Sequence, residues 1–176
     1  MIPILKIDNL LLREIKESDK LERKKSGYDP YVMKMFGHIN DDSILSDKEI
    51  DEWYSFMLKT DYAWIVELKN KVVGQVRLNR IDNRDKNAAF SIGFFSSKSC
   101  GKGLGVKVTK LVLKFAFEQL KLHKVYLRVL EYNKGGIKCY QNCGFKTDGI
   151  LRENGLINEK WENDILMSIL ADEFKN

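Results

Sequence analysis

Proline is nearly absent from this chain: two residues among 176. With 31% charged residues, that scarcity excludes collagen-like and low-complexity sequence and argues against long disorder. Cysteine is scarce as well. Three is an odd number and too few for a disulfide framework, which predicts a reduced, cytoplasmic protein. Long apolar runs are missing, so no segment is expected to span a bilayer as a helix. The opening Met1-Ile2-Pro3-Ile4-Leu5 is interrupted by Lys6 and Asp8 and has no small-residue cleavage site, so it does not read as a signal peptide. Finally, acid is missing from one window. Residues 86–117 hold no Asp or Glu, yet Lys86, Lys98, Lys102, Lys107, Lys110 and Lys114 all fall inside. The net charge of +5 and pI near 9.0 permit an anionic partner without naming one.

What is present suffices for one core. Hydrophobic residues make up 44% and aromatics 11% of the chain, and a chain of this length buries about 70% of its extended surface on folding. One domain over residues 1–176 is expected. Residues 10–15 alternate weakly like a strand, and Lys16-Glu17-Ser18-Asp19 resembles a helix start. Ser26-Gly27-Tyr28-Asp29-Pro30 breaks that helix, and a second short one ends at Gly37. Ser46-Asp47-Lys48-Glu49 is a capping box before the apolar face of Ile50, Trp53, Tyr54, Met57 and Leu58. The period then shortens. Residues 62–68 and 72–78 read as strands around the turn Lys69-Asn70-Lys71, and residues 88–95 as a buried strand. Val108, Leu111, Val112, Phe115 and Leu120 recur at helical spacing. Residues 125–130 read as a strand, residues 137–143 as a short helix closed by Gly144, and residues 161–170 as a last strand. The order predicts an α/β (α+β) protein with a mixed sheet covered on both faces.

The segment Ser99-Cys100-Gly101-Lys102-Gly103-Leu104-Gly105 joins a strand to an amphipathic helix. Glycine at alternate positions removes side chains, so successive N–H groups can converge on one anion. The helix that follows adds its own unpaired N–H groups and the positive end of its dipole. Lys107 in the first turn costs about 0.3–1 kcal/mol unless something negative offsets it. No Gly-Lys-Ser/Thr closes the loop, so it is not a P-loop. Its G-x-G-x-G spacing, with no βαβ unit before it, is not the dinucleotide fingerprint.

A second constellation follows, with Asn133 able to cap the helix that carries Tyr140. Taken alone, it reads as a cap plus an amphipathic tyrosine at the edge of the core. Cys139 and Cys143 lie one turn apart with no His or further Cys nearby, so packing is expected and no metal.

Together these segments resemble the GNAT superfamily of acetyl-CoA-dependent N-acetyltransferases, nearest its branch of ribosomal-protein N-terminal and spermidine acetyltransferases. The resemblance runs from Leu11-Leu12-Arg13 with Asp19 through Ser91-Ile92-Gly93-Phe94 and the glycine loop. It continues through Asn133, Tyr140 and Gly144-Phe145 to Leu151-Arg152-Glu153 and Asp164-Ile165-Leu166-Met167. It implies a single mixed, mostly antiparallel sheet with helices on both faces. It implies acetyl-CoA as cosubstrate, an amine acceptor, no membrane, and room for a homodimer. By position, Gly93, Phe94 and Phe95 would end the strand that pairs with the pantetheine arm. Cys100, Gly101, Lys102, Gly103, Leu104, Gly105 and Val106 would meet the pyrophosphate, and Lys138 would lie beside the cofactor. Asn133 would hydrogen-bond the pantetheine, and Tyr140 would protonate the leaving thiolate.

The chain departs from the family pattern in three places. The pyrophosphate motif opens with Cys100 where Gln or Arg is usual. Val106-Lys107-Val108 stands where Thr-Glu-Ala is common, and the central strand has Phe90 and Ser91 where many members carry Glu. Without an evident base, a lysine-like amine costs about 4.6 kcal/mol to deprotonate at pH 7, an α-amine only about 1.4. That arithmetic favours a weakly basic acceptor. Asp29, Asp41, Asp42, Glu67 and Glu131 keep a polyamine open. Cys100, between Lys98 and Lys102 and before a helix N-terminus, is expected either to form a thiolate readily or to point inward as a small hydrophobe, with Cys139 and Cys143 protected. Two other readings remain: a GNAT-like CoA sensor without transfer, and an RNA-binding module. The latter would stack bases on Phe90, Phe94 and Phe95, although their Ala, Ile and Gly neighbours suit a buried strand.

Overall fold

The computed structural model describes residues 2–38 and 44–175. Its centre is an eight-stranded sheet in the order β1-β2-β3-β4-β5-β6-β8-β7. The strands are β1 (Leu5–Ile7), β2 (Leu10–Arg13), β3 (Tyr62–Leu68), β4 (Lys71–Asp82), β5 (Asn87–Phe94), β6 (Lys124–Leu130), β7 (Lys146–Ile157) and β8 (Lys160–Leu170). The helices are α1 (Asp19–Ser26), α2 (Pro30–Met35), α3 (Asp47–Lys59), α4 (Leu104–Glu118) and α5 (Lys134–Asn142). Every neighbouring pair is antiparallel except β5 and β6. The mixed, mostly antiparallel sheet is therefore as expected.

Two strands escape the sequence pattern. β1 is three residues long and turns back through Asp8, at φ 49°. β7 is an edge strand with bulges after Thr147 and Leu151, Glu153 at φ 52°, and mostly exposed side chains. An edge strand that buries little shows no apolar alternation to read.

Local chemistry sets the other boundaries. Lys69 and Asn70 both take left-handed φ (51° and 62°) in the β3–β4 turn, the geometry that matches strand twist in a two-residue hairpin. The capping box forms: the Glu49 N–H donates to Ser46 Oγ at 3.2 Å, and the Ser46 N–H donates to Glu49 Oε2 at 2.9 Å. Such a cap is worth about 1 kcal/mol.

Alternation along the strands gives each face its own core. Trp64, Val66, Val76, Leu78, Phe90, Val125 and Leu127 lie on one face and pack against Val108, Val112, Leu113 and Ala116 of α4. Ala63 and Ile65 point the other way, onto Met57 and Trp53 of α3. Helices thus cover both faces. A buried ion network locks the first corner. Arg13 holds Asp19 through two bonds of 2.7 and 2.8 Å and donates from Nε to Glu67 at 2.7 Å. Asp19 is 2% exposed, and removing one partner of such a buried pair costs about 3–5 kcal/mol. The Leu11-Leu12-Arg13 and Asp19 motif is therefore a brace between β2, β3 and the start of α1.

Candidate functional site: a cleft at the parting of two strands

β5 and β6 pair only through Asn87–Lys124, Ala88–Val125 and Ala89–Tyr126. Beyond Ala89 they separate, and a cavity of about 720 Å³ opens between Phe90, Gly93 and Phe94 on one side and Leu127, Val129 and Leu130 on the other. One end reaches the glycine loop and α5. The other reaches across the sheet to Arg77, Ser91 and Arg128.

At the loop end the chain supplies donors. The Cys100 N–H donates to Ser97 O at 2.9 Å, and the helix ladder begins with the Lys107 N–H donating to Gly103 O at 3.2 Å. Between them the N–H groups of residues 101–106 find no acceptor among the described residues. Gly101 and Gly103 hold φ of 72° and 75°, where L side chains are strained. A Cβ at either would meet nothing within 4 Å, so conformation rather than space demands glycine. Gly105 differs, because a Cβ there would sit 2.9 Å from Cys139 Sγ. Among the described residues Lys107 meets only the exposed Asp8 at 3.8 Å, so its first-turn penalty is scarcely offset there.

Asp29 ties this loop to α2. Its Oδ1 accepts the N–H of Tyr31 and Val32, and its Oδ2 accepts the Ser97 N–H and hydroxyl, both at 2.8 Å. Burial alone would raise its pKa, but these donors prevail and hold the carboxyl below the ordinary range.

The structure gathers most of the expected residues. Gly93, Phe94, Cys100, Gly101, Gly103, Gly105, Val106, Asn133, Lys138 and Tyr140 line the cavity. Three do not. The Phe95 N–H is spent on Val73 O at 2.9 Å, and its ring packs edge-on against Trp53. Leu104 turns its side chain into the core at 7% exposure, and the Lys102 side chain is exposed to solvent. Asn133 Oδ1 caps α5 by accepting the Gly136 N–H at 2.8 Å, and Nδ2 donates to Met35 O at 3.4 Å. The other Nδ2–H has no acceptor among the described residues.

The Tyr140 hydroxyl makes no hydrogen bond among the described residues, and its ring stands edge-on to Phe90. Burial, reinforced by Cys139 and Cys143, pushes its pKa above the ordinary value, so it stays a phenol.

The cysteines need correcting. Burial, Asp29 and Cys139 raise the Cys100 thiol, which is half-buried against Ser96 O at 3.9 Å; the lysines do not dominate it. Cys139 lines the cavity rather than hiding in the core. It is lowered by a hydrogen bond from Cys143, whose own thiol is raised by that bond and by burial. The stacking surface for RNA is also gone: Phe90 and Phe95 are 4% and 8% exposed. Among the described residues no group of three or more His, Cys, Asp or Glu could hold a metal, and no helix is long and apolar enough to cross a membrane.

Sequence reasoning missed the other end of the cleft. Arg77, Arg80 and Arg128 line it, with Asp164 as the single acidic neighbour in the lining among the described residues. Its residues come from four strands, and no local motif announces them.

The family model for the "Acetyltransferase (GNAT) domain" matches residues 9–146. The chain belongs to this family. It is 34% identical over 123 residues to "Probable N-acetyltransferase YjcK" of Bacillus subtilis, a match covering 69% of this chain and 64% of that protein. It is 31% identical over 132 residues to the spermidine N(1)-acetyltransferase of Escherichia coli K12, covering 75% of this chain and 67% of that one. The matches thus span about two thirds of these relatives. A crystal structure of spermidine N-acetyltransferase from Vibrio cholerae in complex with CoA and spermine superposes with TM-score 0.80 at 26% identity. That superposition covers 96% of this chain and 99% of that one.

Proposed function

We propose that this GNAT domain is an acetyl-CoA-dependent N-acetyltransferase acting on a primary amine. The observation that carries the reading is the run of N–H groups at 101–106 without an acceptor among the described residues, with a phenol at Tyr140, likewise unbonded among them, in the same cleft. The donors suit a pyrophosphate. Gly93 and Phe94 beside the parted strands suit the pantetheine arm, whose amides resemble a strand edge. The remaining Nδ2–H of Asn133 suits one of its carbonyls. Lys138, on the rim, suits the cofactor's phosphates.

In the reaction, the neutral amine attacks the thioester carbonyl carbon, a C–N bond forms and the C–S bond breaks. The phenol of Tyr140 gives its proton to the departing sulfur, and the proton shed by the new amide nitrogen returns through water to the phenolate. A tyrosine held as phenol at neutral pH can donate in this way. Among the described residues, no carboxylate base lines the β5 side of the cleft, where Phe90 and Ser91 stand. The amine therefore reaches the site already neutral, which is cheapest for a weakly basic acceptor. The relative from E. coli and the Vibrio structure bear polyamine names and ligands, which support an amine acceptor here.

Two measurements test the reading. Acetyl-CoA should raise the melting temperature where single-stranded RNA does not. Thiol should then be released from acetyl-CoA when mixed primary amines are added. Stabilisation without thiol release from any amine would leave a CoA sensor; stabilisation by RNA alone would overturn the family-level chemistry.

A further inference from the structure

Alternation along four strands gathers cations on the sheet face opposite α4. Val76, Leu78, Phe90, Leu127, Val129 and Ile165 are buried on the α4 face. Their neighbours Arg77, Ser91, Arg128 and Asp164 therefore share the other face, and all four line the cleft. Arg80 joins them from the bulge in β4, where its φ of 51° breaks the alternation.

Arg77 is the best-defined of these cations. Its Nε donates to Ser91 Oγ at 3.0 Å, and its guanidinium lies 4.6 Å from the centre of the Phe56 ring. No carboxylate pairs with it among the described residues, so both terminal nitrogens keep their donors. Burial lowers its pKa, the mark of a cation short of counter-charge. Arg80 is exposed and likewise has no ion pair among the described residues. Arg128 lies 4.0 Å from Asp164, whose Oδ2 is already bound by Asn154 Nδ2 at 2.7 Å.

Among the described residues, the acids that would suit a polycation are engaged by other partners. Asp29 is occupied by Ser97, Tyr31 and Val32, Glu67 by Arg13, and Glu131 by Asn163 at 2.8 Å. Asp41 and Asp42 lie outside the described residues.

We propose that the acceptor amine carries an oxyanion, a carboxylate or a phosphate, held by Arg77, Arg80 and Arg128 on this face. The inference rests on the transferase reading and narrows its substrate. A fixed guanidinium fork with two free terminal nitrogens suits an oxyanion taken through parallel hydrogen bonds. It repels a polyamine. The family name of the polyamine-binding relatives therefore does not extend to this acceptor.

Calorimetry on the CoA-saturated protein tests it, using 4-aminobutyrate, glutamate, O-phosphoethanolamine, n-butylamine and spermidine. At least one anionic amine should bind 10-fold or more tighter than n-butylamine and spermidine, and carboxylate against phosphate is read from which one. Arg77→Gln should weaken that amine by roughly 10–100-fold, as expected for losing a charged hydrogen-bond donor, while CoA affinity holds. Arg128→Gln, at an exposed position, should weaken it more mildly and covers the case in which Arg77→Gln fails to fold. Spermidine binding tightest, no anionic amine binding, or unaltered affinity in both variants would overturn the proposal. Thiol release keeps the two readings apart. Release with spermidine or n-butylamine and no anionic preference sinks only this inference. Anionic binding with no release from any amine sinks the transferase and leaves the oxyanion site standing.

Discussion

The two ends of the cleft use different parts of the chain. The loop end is built of backbone: N–H groups of residues 101–106, exposed by glycine conformations and aligned by the start of α4. The far end is built of side chains, with Arg77, Ser91, Arg128 and Asp164 each from a different strand. A backbone site tolerates changes of side chain. If the main-chain N–H groups there receive the cofactor, Cys100, Val106 and Lys107 can depart from the family pattern without removing a donor. A side-chain site changes with each substitution, so one fold can keep its donor and alter its acceptor. The difference separates what the family shares from what this member can have for itself.

The sharpest way to break the comparison lies on α5, at the loop end. Tyr140→Phe removes only the phenolic hydrogen-bond donor. The turnover number kcat should fall by roughly 10²–10⁴ while acetyl-CoA affinity stays near wild type. Steady-state kinetics with an identified acceptor checks it, and unchanged turnover would reduce Tyr140 to packing between Phe90 and Phe145.

Asp29 is the next test, because it couples α2 to the approach of the glycine loop. Asp29→Ala should destabilise the protein by about 0.5–2 kcal/mol as a lost cap and weaken acetyl-CoA several-fold. The sign with pH follows from its depressed pKa. The stabilisation is complete above the unfolded value of about 3.9 and is lost as pH falls through the native one. The wild type should therefore lose more melting temperature than Asp29→Ala on going from pH 6 to pH 3. Parallel acid limbs in the two proteins would uncouple Asp29 from the loop.

The smallest effect concerns the thiols. Brief iodoacetamide treatment followed by peptide mapping should label Cys139, with its lowered thiol, first, Cys100 more slowly and Cys143, at 4% exposure, last. Acetyl-CoA should protect the first two, since both line the cleft. Early labelling of Cys143, or no protection, would contradict that arrangement.

Much of the loop end could be read in advance because its information is local. Glycine spacing, helix periodicity and the acid-free window lie within one stretch of chain, as does the Asn133 cap with Tyr140 seven residues on. The Cys100 expectation went astray for the opposite reason. Its thiol is raised first by burial and then by Asp29 and Cys139, distant in sequence, and not governed by the adjacent lysines. The arginine face was invisible on the same grounds: its members lie on separate strands, and only the sheet order makes them neighbours. β7 was missed because an exposed, twice-bulged edge strand carries no alternation.

We propose that the backbone of residues 101–106 receives the cofactor. A calorimetric titration of acetyl-CoA into wild type and Gly103→Glu tests it most directly. The variant sets a strained residue and a negative charge where φ is 75° and a phosphate must approach. Saturable binding by the wild type and none by the folded variant is the predicted result. Undiminished affinity in Gly103→Glu, or no binding by the wild type, would contradict it.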